Sequence, residues 1–301
     1  ECLDNTELRC AWQAYPGVPQ TMLSLHVGMS LGRGMTLDEH GCKLTTMVAC
    51  GDGWRRQHDE VKEAIAAACA ECGVEFTMEV YGLFAAYVGQ NNLNGNSCQA
   101  LVPDFMITLK NRRAVLFELK TLHQGATWNA RAVATRCGAL EAREGKIHGE
   151  YHRKARAADI KFNGHNPQDP ASGPVQTRLS EFGPIQGGVA GPRGSVSSGL
   201  HRVIEGIAEI GAERNWRAMG ARSVLEARAV LINRVRRGIG IVATRAAARL
   251  MIGRLGVACG DGRKAAERRR NAKSYRRSFE WENFFANGPK AFSGGQPRKG
   301  Y

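Results

Sequence analysis

Two apolar runs of strand length lie close together near the middle of the chain. Residues 102–109 (Val-Pro-Asp-Phe-Met-Ile-Thr-Leu) and 114–120 (Ala-Val-Leu-Phe-Glu-Leu-Lys) are built largely from aliphatic, β-branched and aromatic side chains. The Lys110-Asn111-Arg112-Arg113 segment between them is short and polar, which predicts a β-hairpin of two largely buried strands. Side chains alternate along a strand, so Glu118 and Lys120 share one face while Phe117 and Leu119 take the other. The hairpin returns Asp104 to the neighbourhood of Glu118. For the two carboxylates to share a face, the turn must be odd in length or a bulge must intervene.

The flanking segments alternate between helix and strand patterns. Arg55-Arg56-Gln57-His58-Asp59-Glu60 opens a predicted helix over 55–72, with Val61, Ile65, Ala68 and Cys72 on one face and Gly73 as its stop. Residues 74–88 alternate at Val74, Phe76, Met78 and Val80 and predict the first strand, followed by a polar loop over 90–97. A long charged helix is expected over 139–161. The Gly-, Pro- and Ser-bearing stretch 163–198 holds a last core strand at 182–191, whose glycines permit bending or close approach of a helix. A glycine cradle for phosphate is the sharper alternative there, but neither of the usual glycine spacings is present. From Gly199 apolar stripes return: Leu200, Val203, Ile204, Ile207 and Ile210, then Val224, Leu225, Val230, Leu231 and Val235, then a third over 239–255. Residues 1–53 show frequent glycine and no clear helical period. The expected organisation is an irregular segment 1–54, an α/β domain 55–198, a helical layer 199–262 and a basic, disordered tail 263–301.

Composition narrows the class of partner. The 301 residues carry a formal charge of +14, and the pI is near 9.7. That balance points to a polyanion, and nucleic acid fits better than a membrane because no stretch is long and apolar enough to span one. Nine cysteines, an odd number spread along the chain, lack the density of a secreted disulfide scaffold and indicate a reducing, intracellular setting. The chain starts at Glu1 and reads as part of a longer reading frame. His40, Cys42 and Cys50 are candidate zinc ligands, but their spacing is loose and buried thiols are common. In the basic tail, Tyr275, Phe279, Trp281, Phe284 and Phe285 are interleaved with cations, which suits stacking on flexible nucleic acid. The plainer alternative is a disordered basic segment with sequence-independent affinity.

The chemistry converges on the hairpin. Two carboxylates on rigid strands make a hard-oxygen site for Mg²⁺, or Mn²⁺, which keeps several waters and needs few protein ligands. Lys120 would then orient an attacking water or neutralise a phosphate. The alternative is that Asp104 caps a turn and Glu118 and Lys120 decorate a strand edge. Pro103-Asp104, a hairpin, and then Glu118-Leu119-Lys120 resemble the PD-(D/E)xK nuclease superfamily. Helix, strand, strand, strand is also the order in which that restriction-endonuclease-like core begins, a mixed central sheet flanked by helices. Together with Arg55-Arg56-Gln57-His58-Asp59-Glu60 ahead of the helix, and Tyr151-His152-Arg153-Lys154 and Asp159-Ile160-Lys161-Phe162 after the strands, the order over residues 38–162 looks like the endonuclease domain of early-branching non-LTR retrotransposons. A Gln between Arg and His, a degenerate Cys/His knuckle and Glu as second acid depart from that pattern.

The resemblance implies Mg²⁺-dependent hydrolysis of DNA phosphodiesters leaving a 5′-phosphate, a nick that primes reverse transcription, and a nuclear setting. RNA and an upstream reverse transcriptase would be further partners. It also implies catalytic roles for Asp104, Glu118 and Lys120, with Asp104 and Glu118 as the metal ligands and Glu60 (or Glu63) as a third acid. Arg55, Arg56, His58, Tyr151, Lys154 and Lys161 are the candidate nucleic-acid contacts. His58 could equally cap or pack, and the first-turn acids could be solvated charges favoured by the helix dipole. The competing classes are a nuclease-like fold that holds DNA without cutting it, and a zinc-stabilised interaction protein.

Overall fold

In the computed structural model, residues 5–14, 18–32, 34–46, 53–89, 101–110, 114–123, 133–192 and 194–259 are described. The predicted hairpin is the centre of a four-stranded sheet. β3 (Phe76–Met78), β4 (Phe105–Thr108) and β5 (Ala114–Thr121) are antiparallel neighbours, and β6 (Gln186–Ala190) pairs in parallel with β5. A separate small hairpin, β1 (Ser30–Gly32) and β2 (Met35–Thr36), lies near the N-terminus. The helices are α1 (Asn5–Ala14), α2 (Cys42–Thr46), α3 (Gly53–Cys72), α4 (Ala85–Val88), α5 (Val133–Asn163), α6 (Pro174–Glu181), α7 (Ser198–Asn215) and α8 (Val224–Ala258). The chain is thus mixed α/β, with a mixed central sheet flanked by helices. The described residues up to Ile252 form one compact unit, and those from Gly253 belong to a second. No helix among the described residues is long and apolar enough to cross a membrane.

Strand alternation divides the interior into two cores. Phe105, Ile107, Phe117 and Leu119 face Val61 and Ile65 of α3, Leu200, Val203 and Ile207 of α7, and Val235 and Ile239 of α8. The other face turns Leu116 and Val189 toward Leu140, Ile147 and Tyr151 of α5 and Val175 and Leu179 of α6. In the hairpin register Phe105 pairs with Phe117 and Thr108 with Ala114. Residues 109–113 between them are odd in number, so Asp104 falls opposite Glu118, as a shared face requires. The close approach expected of β6 is real. A Cβ on Gly188 would lie 2.5 Å from the Phe117 ring, and one on Gly199 would lie 2.1 Å from the Gly187 carbonyl oxygen. Only glycine lets β6 sit under the start of α7.

α3 ends as its sequence predicts. Gly73 takes φ +69°, Gly73 N–H bonds to the Ala70 carbonyl at 3.1 Å and Val74 N–H to the Cys69 carbonyl at 2.8 Å, the paired bonds of a Schellman stop. Elsewhere the elements differ from expectation. The first strand, expected over 74–88, is only Phe76–Met78, because Glu79 turns the backbone at φ 51° and a 3₁₀ turn (Tyr81–Phe84) and α4 follow. α5 runs beyond both ends of its predicted span. α6 occupies a stretch expected to hold no helix: Pro174 starts it, and its first-turn amides are satisfied from a distance by Asp159. The second and third C-terminal stripes belong to one continuous helix, α8. The N-terminal segment is also less irregular than expected. α1 buries only Glu7, Cys10 and Ala11 and leaves Leu8 and Trp12 half or more exposed, so its apolar period is hidden. The loop 90–97 and the tail 263–301 lie outside the described residues.

Candidate active site

Asp104 ends the approach to β4, and its carboxylate is held on both oxygens. Oδ2 accepts the Leu119 N–H at 2.9 Å, so the neighbouring strand's backbone orients it. Oδ1 faces His58 Nε2 at 3.1 Å and Lys62 Nζ at 3.8 Å, both from α3. His58 and Lys62 are four residues apart and therefore share one face of that helix. Glu118, across the hairpin, is almost fully buried. Its Oε1 is ion-paired to Lys120, its Oε2 accepts the Tyr151 hydroxyl at 2.6 Å, and the Asp104 N–H approaches Oε2 at 3.4 Å. Three elements thus grip two adjacent carboxylates: α3 from one side, β5 between, and α5 from the other.

The two acids titrate in opposite directions. Burial raises Asp104, but the hydrogen bond and charge of His58, with Lys62 and Lys120, outweigh it and hold the carboxyl below its ordinary range. Glu118 is pushed up, first by burial and then by the Asp104 charge, against the pull of Lys120 and Tyr151. Neighbouring buried carboxylates behave this way because both cannot ionise freely. Tyr151 is raised well above the phenol range by its own burial and by Glu118. Lys154 is lowered, by burial first and then by the Lys120 charge.

These directions fix two signs for stability. Asp104, lowered in the fold, contributes stability that is present above its unfolded value near ~4 and is lost as pH falls through the folded value. Glu118, raised in the fold, costs stability while ionised, and that cost disappears as pH falls through its folded value. Glu118→Gln is therefore expected to unfold at a higher temperature than wild type at pH 8, with the gap shrinking toward pH 5. Thermal unfolding followed by circular dichroism at both pH values checks this. A variant less stable than wild type at pH 8 would contradict it.

The remaining candidates are distributed unevenly. Glu60 is not brought to the acidic pair. It lies two residues from His58, about 200° around the helix, and its carboxylate meets Arg249 at 3.5 Å and Arg245 at 3.9 Å on α8. Glu60→Gln is accordingly expected to leave any metal-dependent cleavage at its wild-type rate in the assay described below, and a loss as deep as that of an Asp104 variant would return Glu60 to the site. Glu63 is exposed. Tyr151 is not a surface contact for nucleic acid either, being 1% exposed, with its hydroxyl on Glu118. Arg55 and Arg56 are exposed in the first turns of α3. Lys154 stands 5.2 Å from the Tyr151 ring centre, on the flank of the acidic pair. Lys161 is exposed beside Phe162, roughly 10 Å beyond Lys154 along α5 at 1.5 Å per residue. On the same helix Arg143 is bonded to Glu150 and Arg156 to the carbonyls of Pro167 and Asp169, so these two charges support the fold.

His40 and Cys42 gather no third ligand among the described residues, and Cys50 lies outside them. Asp38 instead caps α2, accepting the amides of His40, Cys42 and Lys43.

Lys62, which faces Asp104, and its partner Glu79, bonded in turn to Tyr81, are neighbours of the pair that the sequence reading passed over. The available signal was Lys62's place at the edge of the Val61–Ile65 apolar stripe, four residues after His58.

Comparisons of the chain with protein-family models, curated proteins and solved structures return no match. The chemistry of the site rests on its own residues. No cluster of three or more His, Cys, Asp or Glu side chains converges as a metal cage among the described residues. The donor set is two adjacent hard carboxyl groups, with side-chain accessibilities of 13% and 7%. That suits a cation such as Mg²⁺, which retains waters and takes one or two protein carboxylates.

Proposed function

We propose that this chain is a metal-dependent DNA endonuclease with a restriction-endonuclease-like core. The observation that carries the reading is the register of the hairpin, which sets Asp104 opposite Glu118 with Lys120 two residues further on the same face. The succession α3, β3, β4, β5 supports it, as does the formal charge of +14 for a polyanionic substrate. Asp104 and Glu118 are the residues that would hold Mg²⁺ or Mn²⁺. When bound, such an ion supplies Lewis acidity toward a phosphodiester and a water of lowered pKa.

The chain's own groups have distinct tasks. Leu119 N–H, His58 and Lys62 hold the Asp104 carboxylate. Tyr151 holds Glu118. Lys120, 30% exposed at its side chain, is the cation nearest the acids that a phosphate can reach, with Lys154 beside it. Arg55 and Arg56 offer phosphate contacts from the start of α3, which position a duplex without reading its sequence. On the retrotransposon-like order of motifs, the substrate is target DNA, nicked to prime reverse transcription.

The test is nicking of supercoiled plasmid by wild-type protein. Conversion to the open circle in Mg²⁺, abolished by EDTA, is the expected result. Binding of the plasmid with no cutting in either Mg²⁺ or Mn²⁺ would make the chain a nuclease-like DNA-binding module instead.

A further inference from the structure

Two features that folded chains avoid meet beside Asp104. Lys62 is only 5% exposed, and an ammonium taken out of water is costly unless closely paired. Glu79 is the non-glycine residue with positive φ, at 51°, among the described residues, a conformation that L side chains adopt at a cost. The two are joined. Lys62 Nζ lies 2.7 Å from Glu79 Oε1, and the Tyr81 hydroxyl donates to Glu79 Oε2 at 2.6 Å. The ammonium's remaining carboxylate neighbours are Asp104 Oδ1 at 3.8 Å and Asp59 Oδ1 at 3.9 Å.

Resting on the nuclease reading above, we propose that Lys62 is a positioning residue: seated by Glu79, it fixes the orientation of the Asp104 carboxylate and so the geometry of the acidic pair. A purely stabilising ion pair would need only Lys62 and Glu79, and well-packed neutral side chains replace such pairs without loss. The third contact is what sets this lysine apart. Asp104 is bound on Oδ2 by the β5 backbone and on Oδ1 from α3, so its carboxylate is clamped between two rigid elements and cannot turn about its own bond. Glu79's strained backbone is the seat that keeps the ammonium at that height, where the chain leaves β3 and turns into the 3₁₀ segment.

The test compares wild type, Asp104→Ala, Glu79→Gln and the double variant Lys62→Met/Glu79→Gln, which removes the buried ammonium together with its half-buried partner. Each is assayed for thermal unfolding, DNA affinity, Mn²⁺ affinity by isothermal titration, and plasmid nicking at saturating metal. The double variant is expected to fold and bind DNA as wild type does, to hold Mn²⁺ more weakly, and to nick about 10- to 100-fold more slowly, the usual cost of losing a group that orients a ligand. Glu79→Gln alone, whose amide oxygen still accepts from the Lys62 ammonium and so keeps it seated beside Asp104, is expected to keep most of the rate. Mn²⁺ affinity and nicking in the double variant close to wild type would overturn the proposal, and so would equal losses in the single and double variants. If wild type binds Mn²⁺ through Asp104 yet cuts nothing, the nuclease reading fails and the Mn²⁺ affinities alone decide the role of Lys62. Absence of Asp104-dependent Mn²⁺ binding would overturn both.

Discussion

Asp104→Ala is expected to abolish Mg²⁺-dependent nicking while leaving DNA binding in place. On the proposed reading the carboxylate is one of the two that would hold the metal, and metal stabilisation of the developing charge is worth several kcal/mol, on the order of a thousandfold in rate. The variant also takes away the acceptor of the Leu119 N–H and the partner of His58, while Lys62 keeps Glu79 and Asp59. Loss of one partly buried carboxylate beside two cations raises local positive charge, so affinity for the plasmid should not fall. Single-turnover cleavage and gel-shift measurements on the same protein separate the two effects. A variant that still nicks at a metal-dependent rate near wild type would remove Asp104 from the reaction and the hairpin from its centre.

The largest expected effect on stability comes from a residue remote from the chemistry. Asp159, on α5, has no exposed surface and accepts the Val175 N–H at 2.8 Å, the Gln176 N–H at 3.0 Å and the Asn163 side-chain amide at 3.1 Å. It is the N-terminal cap of α6, supplied by a different helix. Asp159→Ala strands two first-turn amides, one of them buried, and removes the anion that complements the helix dipole. The combined loss is about 2–4 kcal/mol, a fall in unfolding temperature of roughly 5–15 °C for a domain of this size. Asp159→Asn keeps one acceptor oxygen and should recover part of it. Thermal unfolding of the two variants checks the order wild type, Asn, Ala. An Ala variant as stable as wild type would show that solvent caps α6 equally well.

What could be read from the chain, and what could not, follows from the range over which each signal acts. The hairpin was legible because its apolar strands are local, and alternation alone puts Glu118 and Lys120 on one face; the length of its connection was not, since Leu109 reads as strand but lies past the last paired residue, Thr108. The stop of α3 was legible because Gly73 acts on its immediate neighbours. The cap of α6 was not, since Asp159 and Val175 are far apart in sequence and their meeting depends on how α5 packs. Glu79 carries no mark of its left-handed backbone, because the turn there is held by main-chain bonds to a distant segment, Glu79 N–H to the Asp104 carbonyl at 2.8 Å and Val80 N–H to the Pro103 carbonyl at 3.1 Å. Lys62 reads as an ordinary polar helix residue until Asp104 is folded against it. Glu60 and Tyr151 err in opposite senses: the helix period turns one acid toward α8, and a core turns one aromatic inward onto Glu118.

The parallel pairing of β6 with β5 has a consequence for any shortened form of this protein. Phe117 pairs with Gln186 and Thr121 with Ala190, so the strand bearing both Glu118 and Lys120 has its outer partner nearly seventy residues later in the chain. A fragment ending within α5 would keep every residue of the acidic pair. It would also expose the free edge of β5, with Phe117 and Leu119 uncovered on one face, and such an edge recruits strands from other molecules. The hairpin is therefore not a portable unit: without residues 186–190 its outer strand has an unpaired edge open to other chains. At ribosomal elongation rates that interval is on the order of ten seconds, during which β5 waits with its outer edge unpaired.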